Sequence, residues 1–510
     1  MRLKFRIMQA VDKFTARNTQ FQFPLLDLPN ELIAHIIEEV DNIRALRRLA
    51  RTCRRIQHLA EPALYRSILV RTGPETNDIR LAIDSRPERA AGIHYLEIPC
   101  HARYHQDFPA IADLLDRARN LKELMFESPQ CNTSEFEDAE TWRAMASQLF
   151  EPFQNAVALE SELDLSRKPL QKLRKLTLHC NGPDSPYWTL NSRSLPIFLL
   201  PNLQYLKVSC VNILDNVLED AKDKSSKTLK HIDLEECNIS HRGLHGLLSI
   251  PEGLEVLDLG ENCHNILQFA DDIDASSNHL FTVNPQLTVD ALKQQSRTLT
   301  TLTYTTTETY FQHRHLARIR DACSTPIDAG FTDFHKLTKV SLIGHCPNFE
   351  RALMTSCSPP NLETLEFKAL TPFRRELGST AEDHAIGIIP FLRAPSASVP
   401  ATLKNLDISF GSTAYDADGN ILPNQTKNLI EVTSKATRPM GVHLRFFFKP
   451  RSHYFPPYLW GEPTPVETLV YDGGFVAELP GYRTSNADSE SDSEWESESG
   501  SSTSSSEDGT

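Results

Sequence analysis

His241 and His245 are spaced as two metal ligands on one helix would be. Residues i and i+4 share a helix face, so both imidazoles could approach one ion. The neighbouring sequence offers no third ligand, and the pair is predicted to lie solvated on an outer helix. His313 and His315, which flank Arg314, are interpreted in the same way. We expect no metal site.

Paired carboxylates occur at Glu235-Glu236 and at Asp271-Asp272, a residue type suited to general acid–base chemistry. Adjacent residues of a strand face opposite sides, which prevents such a pair from acting together. The motifs GxSxG, HExxH, GxGxxG and the P-loop are absent from the sequence. The sequence therefore predicts that the chain is not an enzyme, with no catalytic residues and no cofactor.

Composition limits the class of partner. The chain has 510 residues, of which 40% are hydrophobic and 24% charged, and no run of eighteen apolar residues that could span a bilayer. Eight acidic residues after Arg483 account for more than half of the net charge of −14, which leaves −6 for the remainder. A mildly acidic chain lacks the basic surface that binds phosphate backbones, so a nucleic acid is not an expected partner. A membrane is not an expected partner either, because no apolar run is long enough to span it.

The ten cysteines are scattered and form no CxxC pair. A long chain with this usage is typical of a reducing compartment, which predicts location in the cytoplasm, the nucleus or both. Residues 1–22 contain basic residues among apolar ones. The stretch lacks a sufficient hydrophobic core for a secretory signal, and we interpret it as a basic N-terminal arm.

The first structural element that the sequence predicts is a helical segment at 23–70. Pro29 suits the first turn of a helix, and an apolar stripe follows it. Its members recur at helical spacing and comprise Leu28, Leu32, Ile36 and Val40, widened by Ile33 and Ile37. Asn42 can cap a second helix, and Pro62 is predicted to stop a third. Three short helices form a marginal core, so we expect burial against a partner or the next domain.

The run Leu28-Pro29-Asn30-Glu31-Leu32-Ile33, with Thr52-Cys53-Arg54-Arg55 and the closing Leu64-Tyr65-Arg66-Ser67-Ile68, resembles an F-box of the variety common in fungal proteins. The resemblance covers about fifty of the 510 residues. It implies a three-helix F-box at 23–70 that binds a Skp-type adaptor and, through it, a cullin scaffold. The implied adaptor-binding residues are Leu28, Pro29, Leu32, Ile33, Ile36, Ile37, Leu46, Leu49 and Cys53. The alternative is an ordinary three-helix cap on a repeat array.

A self-similar L-x-x-L-x-L unit follows at 80–449. Copies starting at 203, 229 and 254 are 26 and 25 residues apart, within the period of leucine-rich repeats. Wider gaps elsewhere predict insertions. The predicted fold class is therefore α/β, with the helical module followed by an irregular leucine-rich-repeat solenoid. An ordinary α/β domain with several leucine-rich strands is the alternative interpretation.

One copy displays the whole unit. A strand at 229–234 leads to Cys237 and Asn238, and Ser240 precedes a helix. This order resembles the cysteine-containing subclass of leucine-rich repeats, which often follows an F-box. Cys180 and Cys210 stand two residues past the last apolar strand position instead of three, so they match the subclass loosely.

Alternate strand residues are predicted to line a concave face. They form a ladder of Thr177, Lys207, Asp233, Asp258, Thr303, Ser341, Glu366 and Asp407. Asp233 and Asp258 should lie on adjacent strands and repel unless a cation intervenes, with Lys207 and His231 as partial neutralisers and Glu235 as a further acid. These five residues are the predicted target-binding site, which basic groups of a target would complete. A solvated acidic face is the alternative.

The chain ends in two further segments. Residues 450–483 are rich in proline and aromatic residues and are predicted to cap the last repeat. Residues 484–510 are dominated by serine and acidic residues and are predicted to be disordered. The resemblance implies a non-catalytic substrate receptor of a Skp–cullin–F-box ubiquitin ligase that holds an unknown target protein. A repeat scaffold that uses the adaptor without ubiquitination is the rival hypothesis.

Overall fold

The computed structural model describes residues 25–99, 108–127, 139–158, 168–179, 188–261, 285–305, 327, 330–343, 349, 352–353, 356–370, 400–410, 430–431, 433–435, 437–448, 467–473 and 475–476. The predicted basic arm and the predicted disordered tail lie outside these residues. So do the pairs Asp271-Asp272 and His313/His315, as well as Cys180 and most of the predicted cap.

Three helices form the N-terminal module: α1 (Asn30–Glu38), α2 (Ile43–Leu49) and α3 (Arg54–Leu64). The side chain of Asn42 caps α2 by accepting hydrogen bonds from the backbone N–H groups of Arg44 and Ala45, at 2.9 and 3.3 Å. The predicted cap is therefore present. A small core of the module's own comprises Ile33, Ile37, Leu46, Ile56 and Ala60.

Two details of the predicted module are wrong. Pro62 lies inside α3, which continues for two more residues to Leu64, so the proline does not stop the helix at its own position. Helix α1 ends at Glu38, so Val40 lies beyond it and packs against the module's core from the connection to α2.

Beyond the module the chain is α/β and forms a mixed sheet. Its strands follow one another in sequence order, parallel from β1 to β14 and antiparallel for the last two. The strands of this path are β1 (Ser67–Leu69), β2 (Tyr95–Pro99), β3 (Glu123–Glu127), β4 (Lys175–His179), β6 (Tyr205–Ser209), β8 (His231–Ile239), β9 (Val256–Glu261), β10 (Thr301–Thr305), β11 (Lys339–Ile343), β12 (Thr364–Leu370), β13 (Asn405–Phe410), β14 (His443–Phe448), β15 (Thr468–Asp472) and β16 (Phe475–Val476). Short strands β5 (Trp188–Thr189) and β7 (Val211–Ile213) pair beside β8.

Helices connect several of the strands. They are α4 (Gly73–Ser85), α5 (Phe108–Arg117), α6 (Ala139–Val157), α7 (Asn216–Asp220), α8 (His241–Leu248) and α9 (Pro285–Leu292). Helix α8 begins where Ser240 Oγ accepts a hydrogen bond from the N–H of Gly243 at 2.9 Å. A Cβ at Gly243 would stand 2.3 Å from the carbonyl oxygen of Ile213, so only glycine allows α8 to approach β7 this closely. No helix in the described ranges is long and apolar enough to cross a membrane.

The sheet aligns the repeated units. The second apolar position of each copy pairs with the same position of the next, as Leu206 with Ile232, Ile232 with Leu257, and Leu257 with Leu302. These side chains belong to one continuous core that extends from Ile68 to Tyr471. Alternation along each strand leaves the intervening residues on the opposite face, where charged and polar side chains gather.

An ion cluster joins the module to the sheet domain. Glu61 of α3 is 8% exposed and accepts hydrogen bonds from Arg86 at 2.9 Å and Arg89 at 2.8 Å. Burial alone would raise the pKa of Glu61, but the hydrogen bonds from both guanidinium groups outweigh it and the pKa is lowered. The carbonyl of Arg66 also accepts from the N–H groups of His94 and Tyr95, at 3.0 Å each, so the chain enters β1 firmly held.

Candidate functional site

The module exposes large apolar side chains that its own core does not use. Leu32 and Ile36 of α1 are 51% and 41% exposed, and Leu26 and Ile43 are 52% and 45% exposed. Leu32 and Ile36 are i and i+4 on one helix face, which makes them a shared contact surface. Such a surface on a small module is typical of a protein-interaction site.

The predicted adaptor-binding residues divide into two groups. Ile33, Ile37 and Leu46 are buried in the module's core, so they hold its helices together instead of meeting a partner directly. Leu28, Leu49 and Cys53 are half-buried against the same core, and Pro29 is exposed at the start of α1. Sequence analysis missed Leu26 and Ile43, because neither belongs to the stripe that starts at Leu28.

Arg55 fixes the segment before α1 against α3. Its Nε donates to Asn30 Oδ1 at 2.8 Å and its Nη2 to the carbonyl of Leu28 at 2.7 Å. Nη1 donates to the carbonyl of Leu26. The guanidinium thus holds the two backbone carbonyls next to the exposed apolar residues, which positions that surface on a rigid support.

A second candidate surface is the predicted ladder, and the strands bring it together in register. Thr177 pairs with Lys207, Lys207 with Asp233, and Asp233 with Asp258. The remaining rungs follow in the predicted order through Thr303, Ser341, Glu366 and Asp407, and the ladder continues to Arg445. Arg445 was missed although it holds the ladder position of the degenerate copy at 442–448.

Lys207 is the centre of an acidic cluster. Its Nζ lies 3.2 Å from Asp233 Oδ2 and 2.6 Å from Glu235 Oε2. Burial opposes the charge of Lys207, but the two carboxylates outweigh burial and raise its pKa. The pKa of Asp233 is raised, because burial and the charge of Asp258 oppose its ionisation more than Lys207 supports it.

His231 and Tyr205 complete this cluster. His231 Nε2 lies 2.9 Å from Asp258 Oδ2, and Tyr205 donates its hydroxyl to Asp233 Oδ2 at 3.3 Å. The two rings meet edge to face with centroids 4.6 Å apart. The five predicted residues of the target-binding site are therefore brought together, and the repulsion expected between Asp233 and Asp258 is relieved in part by the protein's own groups. Three carboxylates still face one lysine and one histidine.

The far part of the ladder holds a different cluster. Glu366 lies 2.6 Å from Lys339 Nζ and 3.1 Å from Lys368 Nζ. Burial would raise the pKa of Glu366, but the hydrogen bond from Lys339 and the charge of Lys368 outweigh burial and lower it. Asp407 accepts from Arg445 through both oxygens, at 2.7 and 2.5 Å. Here three cations surround two carboxylates.

The sequence predicted a strand that ends at Leu234 and leads to a turn at Cys237 and Asn238, but β8 continues to Ile239 and contains both residues. Cys237 is buried with its Sγ 3.3 Å from the carbonyl of Glu235, and Asn238 donates to Asn212 Oδ1 at 2.7 Å. His241 is 8% exposed, so the prediction that it lies solvated is wrong. It is the first residue of α8, whose first turn is mostly buried. His245 is exposed.

Buried polar groups also lie at the ends of β4 and β6. His179 shares a hydrogen bond with Ser209, and burial together with the charge of Lys207 lowers the pKa of His179 to about 3. An imidazole with that pKa is a poor general base at neutral pH. Among the described residues, no group of three or more histidines, cysteines or acids is placed to hold a metal ion.

Comparison with known families identifies the module. Residues 25–71 match the family model described as F-box-like, and the chain therefore carries an F-box-like domain at its helical end. The match ends within the first connection of the sheet and covers the three helices with the exposed apolar surface. A comparison with curated proteins found no match.

Proposed function

We propose that this chain is the substrate-recognition subunit of a Skp–cullin–F-box ubiquitin ligase. Its F-box-like domain binds a Skp-type adaptor, and the ladder face of the sheet binds a target protein. The chain catalyses nothing itself. Ubiquitin transfer is promoted by proximity, because adaptor and cullin hold the charged enzyme beside the captured target.

The observation that carries this proposal is the exposed pair Leu32 and Ile36 within the F-box-like match. F-box domains typically bind Skp-type adaptors, and two large apolar residues on one helix face supply such a contact. The ion cluster at Glu61 supports the second half of the proposal. A rigid junction keeps a bound target at a fixed distance from the adaptor, which proximity requires.

For the sheet, we propose a leucine-rich-repeat array with the ladder as its binding face. Support comes from the repeated apolar spacing and from the in-register pairing of equivalent positions on successive strands. The charged side chains lie opposite the core, on the side where a target would meet them. With reduced cysteines predicted throughout, the complex would work in the cytoplasm or the nucleus.

Affinity purification of the full chain under proteasome inhibition tests the proposal. We expect adaptor and cullin to be recovered together with ubiquitinated proteins. A scaffold that binds the adaptor alone is the second candidate, favoured by a target face that the described residues already pair among themselves. Recovery of adaptor without cullin would support the scaffold and reject the ligase subunit.

A further inference from the structure

A pocket on the F-box-like domain lies between the connection after α1 and helix α2. Its apolar lining consists of Val40, Ala45 and Leu49, and Arg44 and Arg48 stand beside them. Val40 and Leu49 pack against the module's core, so the lining is supported from beneath. Arg44 and Arg48 are four residues apart on α2 and therefore share one face.

Both arginines lack an acidic partner within the described part of the chain. Each is exposed, and neither forms an ion pair with a described carboxylate. By contrast, Arg86 and Arg89, which follow α4 in the sheet domain, pair with Glu61. An apolar pocket bordered by two uncompensated guanidinium groups suits an apolar side chain that is flanked by acids.

The chain itself contains such a segment near its C-terminus. Residues 488–498 read Asp-Ser-Glu-Ser-Asp-Ser-Glu-Trp-Glu-Ser-Glu. Trp495 is the one aromatic residue after Tyr482, and Glu494 and Glu496 flank it directly. An aromatic residue is rare in a stretch whose other residues are serines and acids, because such a stretch has no core for it to join. The tryptophan therefore fits a contact role.

We propose that residues 488–498 of one copy of this protein dock on the pocket of a second copy. The indole of Trp495 occupies the apolar lining, and the carboxylates beside it meet Arg44 and Arg48. Indole over guanidinium adds a favourable cation–π contact. The contact is partly electrostatic and so weakens with added salt.

The distance that the C-terminal segment would have to span favours docking on a second copy over docking within one chain. The module precedes β1 at one end of the sheet, whereas the described chain ends in β16 at the other end. With a spacing of about 4.8 Å between strands, the path along the sheet is roughly 60 Å. Eighteen residues separate position 477 from position 495, and a random-coil chain of that length spans about 25 Å on average. Contact within one chain would need this segment almost fully extended, at a large cost in entropy.

Phosphorylation would strengthen the contact. Ser493 and Ser497 are each two residues from Trp495 in the sequence, so they would face the same side as Trp495 if the segment bound as an extended strand. A phosphate on either serine would add charge beside the arginines of the pocket and form stronger hydrogen bonds than a carboxylate. The same pocket lies on the domain proposed to bind the adaptor, although the docking itself does not depend on that function.

Sedimentation of the full-length chain over a range of concentrations tests the proposal. We expect self-association that weakens at least tenfold in Trp495→Ala, and equally in the double variant Arg44→Ala with Arg48→Ala. The double variant Arg47→Ala with Arg51→Ala is the matched control. It removes the same charge from the same region but spares the pocket lining, and it should retain self-association within about twofold.

Mixing separates the two-copy arrangement from docking within one chain. Trp495→Ala retains the pocket and the double variant of Arg44 and Arg48 retains the tail, so an equimolar mixture should form a heterodimer although neither associates alone. Failure of this complementation would overturn docking between copies. Equal inhibition by the 484–510 peptide and by poly-glutamate of the same length would reduce the site to nonspecific charge and also overturn it. Adaptor recovery reports on the proposed function separately.

Discussion

The F-box-like module and the sheet domain differ in the kind of side chain that they leave on their surfaces. The module buries only five apolar residues fully and leaves Leu32, Ile36 and Ile43 in solvent. The sheet domain buries most of its apolar residues in one continuous core and presents a ladder of charged groups that largely pair with one another. The module therefore offers apolar surface for a contact, whereas the ladder offers charges that are already mostly paired.

This contrast predicts two kinds of recognition in one chain. Adaptor contact through Leu32 and Ile36 should be driven by burial of apolar area, at roughly 25 cal/mol per Å², and should change little with salt. Contact with the ladder has to compete with ion pairs that already exist, so it should be weaker, selective and sensitive to salt.

Replacing Leu32 and Ile36 by aspartate should abolish adaptor binding. Both side chains are exposed, so the isolated chain tolerates the charges, but burial of unpaired carboxylates in the complex costs several kcal/mol. Adaptor recovery should fall at least a hundredfold with an unchanged melting temperature. Ile33→Asp is the contrasting control, since Ile33 is fully buried and its replacement should unfold the module. A folded Leu32/Ile36 variant that still recovers the adaptor would contradict the assignment of this surface.

The module also shows what sequence patterns can and cannot reveal. Helical periodicity finds apolar residues that share a helix, so the stripe from Leu28 was detected. It cannot separate Ile33 and Ile37, which point inward, from Leu32 and Ile36, which point outward, because a stripe wider than the core has members on both sides. Only the positions of α2 and α3 decide which members are covered.

The sheet was more predictable because its periodicity is two. Alternation assigns each strand residue to a face without knowledge of the neighbouring strand, so the ladder from Thr177 to Asp407 was recognised. Which charges pair along it depends on register and on side-chain reach. The contact of Lys207 with both Asp233 and Glu235 crosses between rungs, and the pattern alone could not reveal it.

Glu236 should make the stability of the sheet domain depend on pH. It sits at a left-handed φ of 53°, equivalent to Cys210 of the preceding copy at 56°, and it is 8% exposed. Burial and the charge of Glu235 raise the pKa of Glu236 to about 8. The folded state therefore holds a proton that the unfolded state releases at lower pH. Stability is greatest below the unfolded value of 4.5 and is lost as pH rises to about 8.

Urea unfolding between pH 5 and pH 9 tests this expectation. The free energy of unfolding should fall by about 1.4 kcal/mol per pH unit in the window, and Glu236→Gln should remove most of that slope. Exposed Glu219 is a matched control, and Glu219→Gln should leave the slope intact. An unchanged slope in Glu236→Gln would show that other groups set the pH dependence.

Glu61→Ala tests whether the F-box-like module and the sheet domain unfold as one cooperative unit. The variant leaves Arg86 and Arg89 without their shared carboxylate, and we expect a loss of about 2 kcal/mol, because one member of a buried ion cluster is removed. We expect one unfolding transition for the unmodified chain and two for the variant, with the module melting first. Calorimetry measures both effects. Glu88→Ala, which leaves the cluster whole, should preserve one transition at the original temperature.

The smallest expected effect on stability concerns the two charge clusters of the ladder. Around Lys207 the carboxylates outnumber the cations. Near Glu366 the cations outnumber the carboxylates, and these cations are Lys339, Lys368 and Arg445. The face therefore has an acidic part and a basic part. A target that reads it should present basic groups to the first and acidic groups to the second, and the acidic part should depend on the charge of Asp233 and Asp258.

Asp233→Asn with Asp258→Asn should change the free energy of unfolding by less than about 0.5 kcal/mol, because relief of the repulsion between the two carboxylates offsets the lost contact with Lys207. Target capture should nevertheless weaken, and its decrease with salt should become shallower, since two charges no longer contribute.

Glu366→Gln gives the opposite pattern. Glu366 is 7% exposed between two lysines, so its replacement should destabilise the sheet. A salt series of target recovery, run with adaptor recovery as the internal reference, separates the two clusters. If the double Asn variant captures target as well as the unmodified chain at every salt concentration, the acidic cluster is a solvated face and recognition lies elsewhere on the sheet.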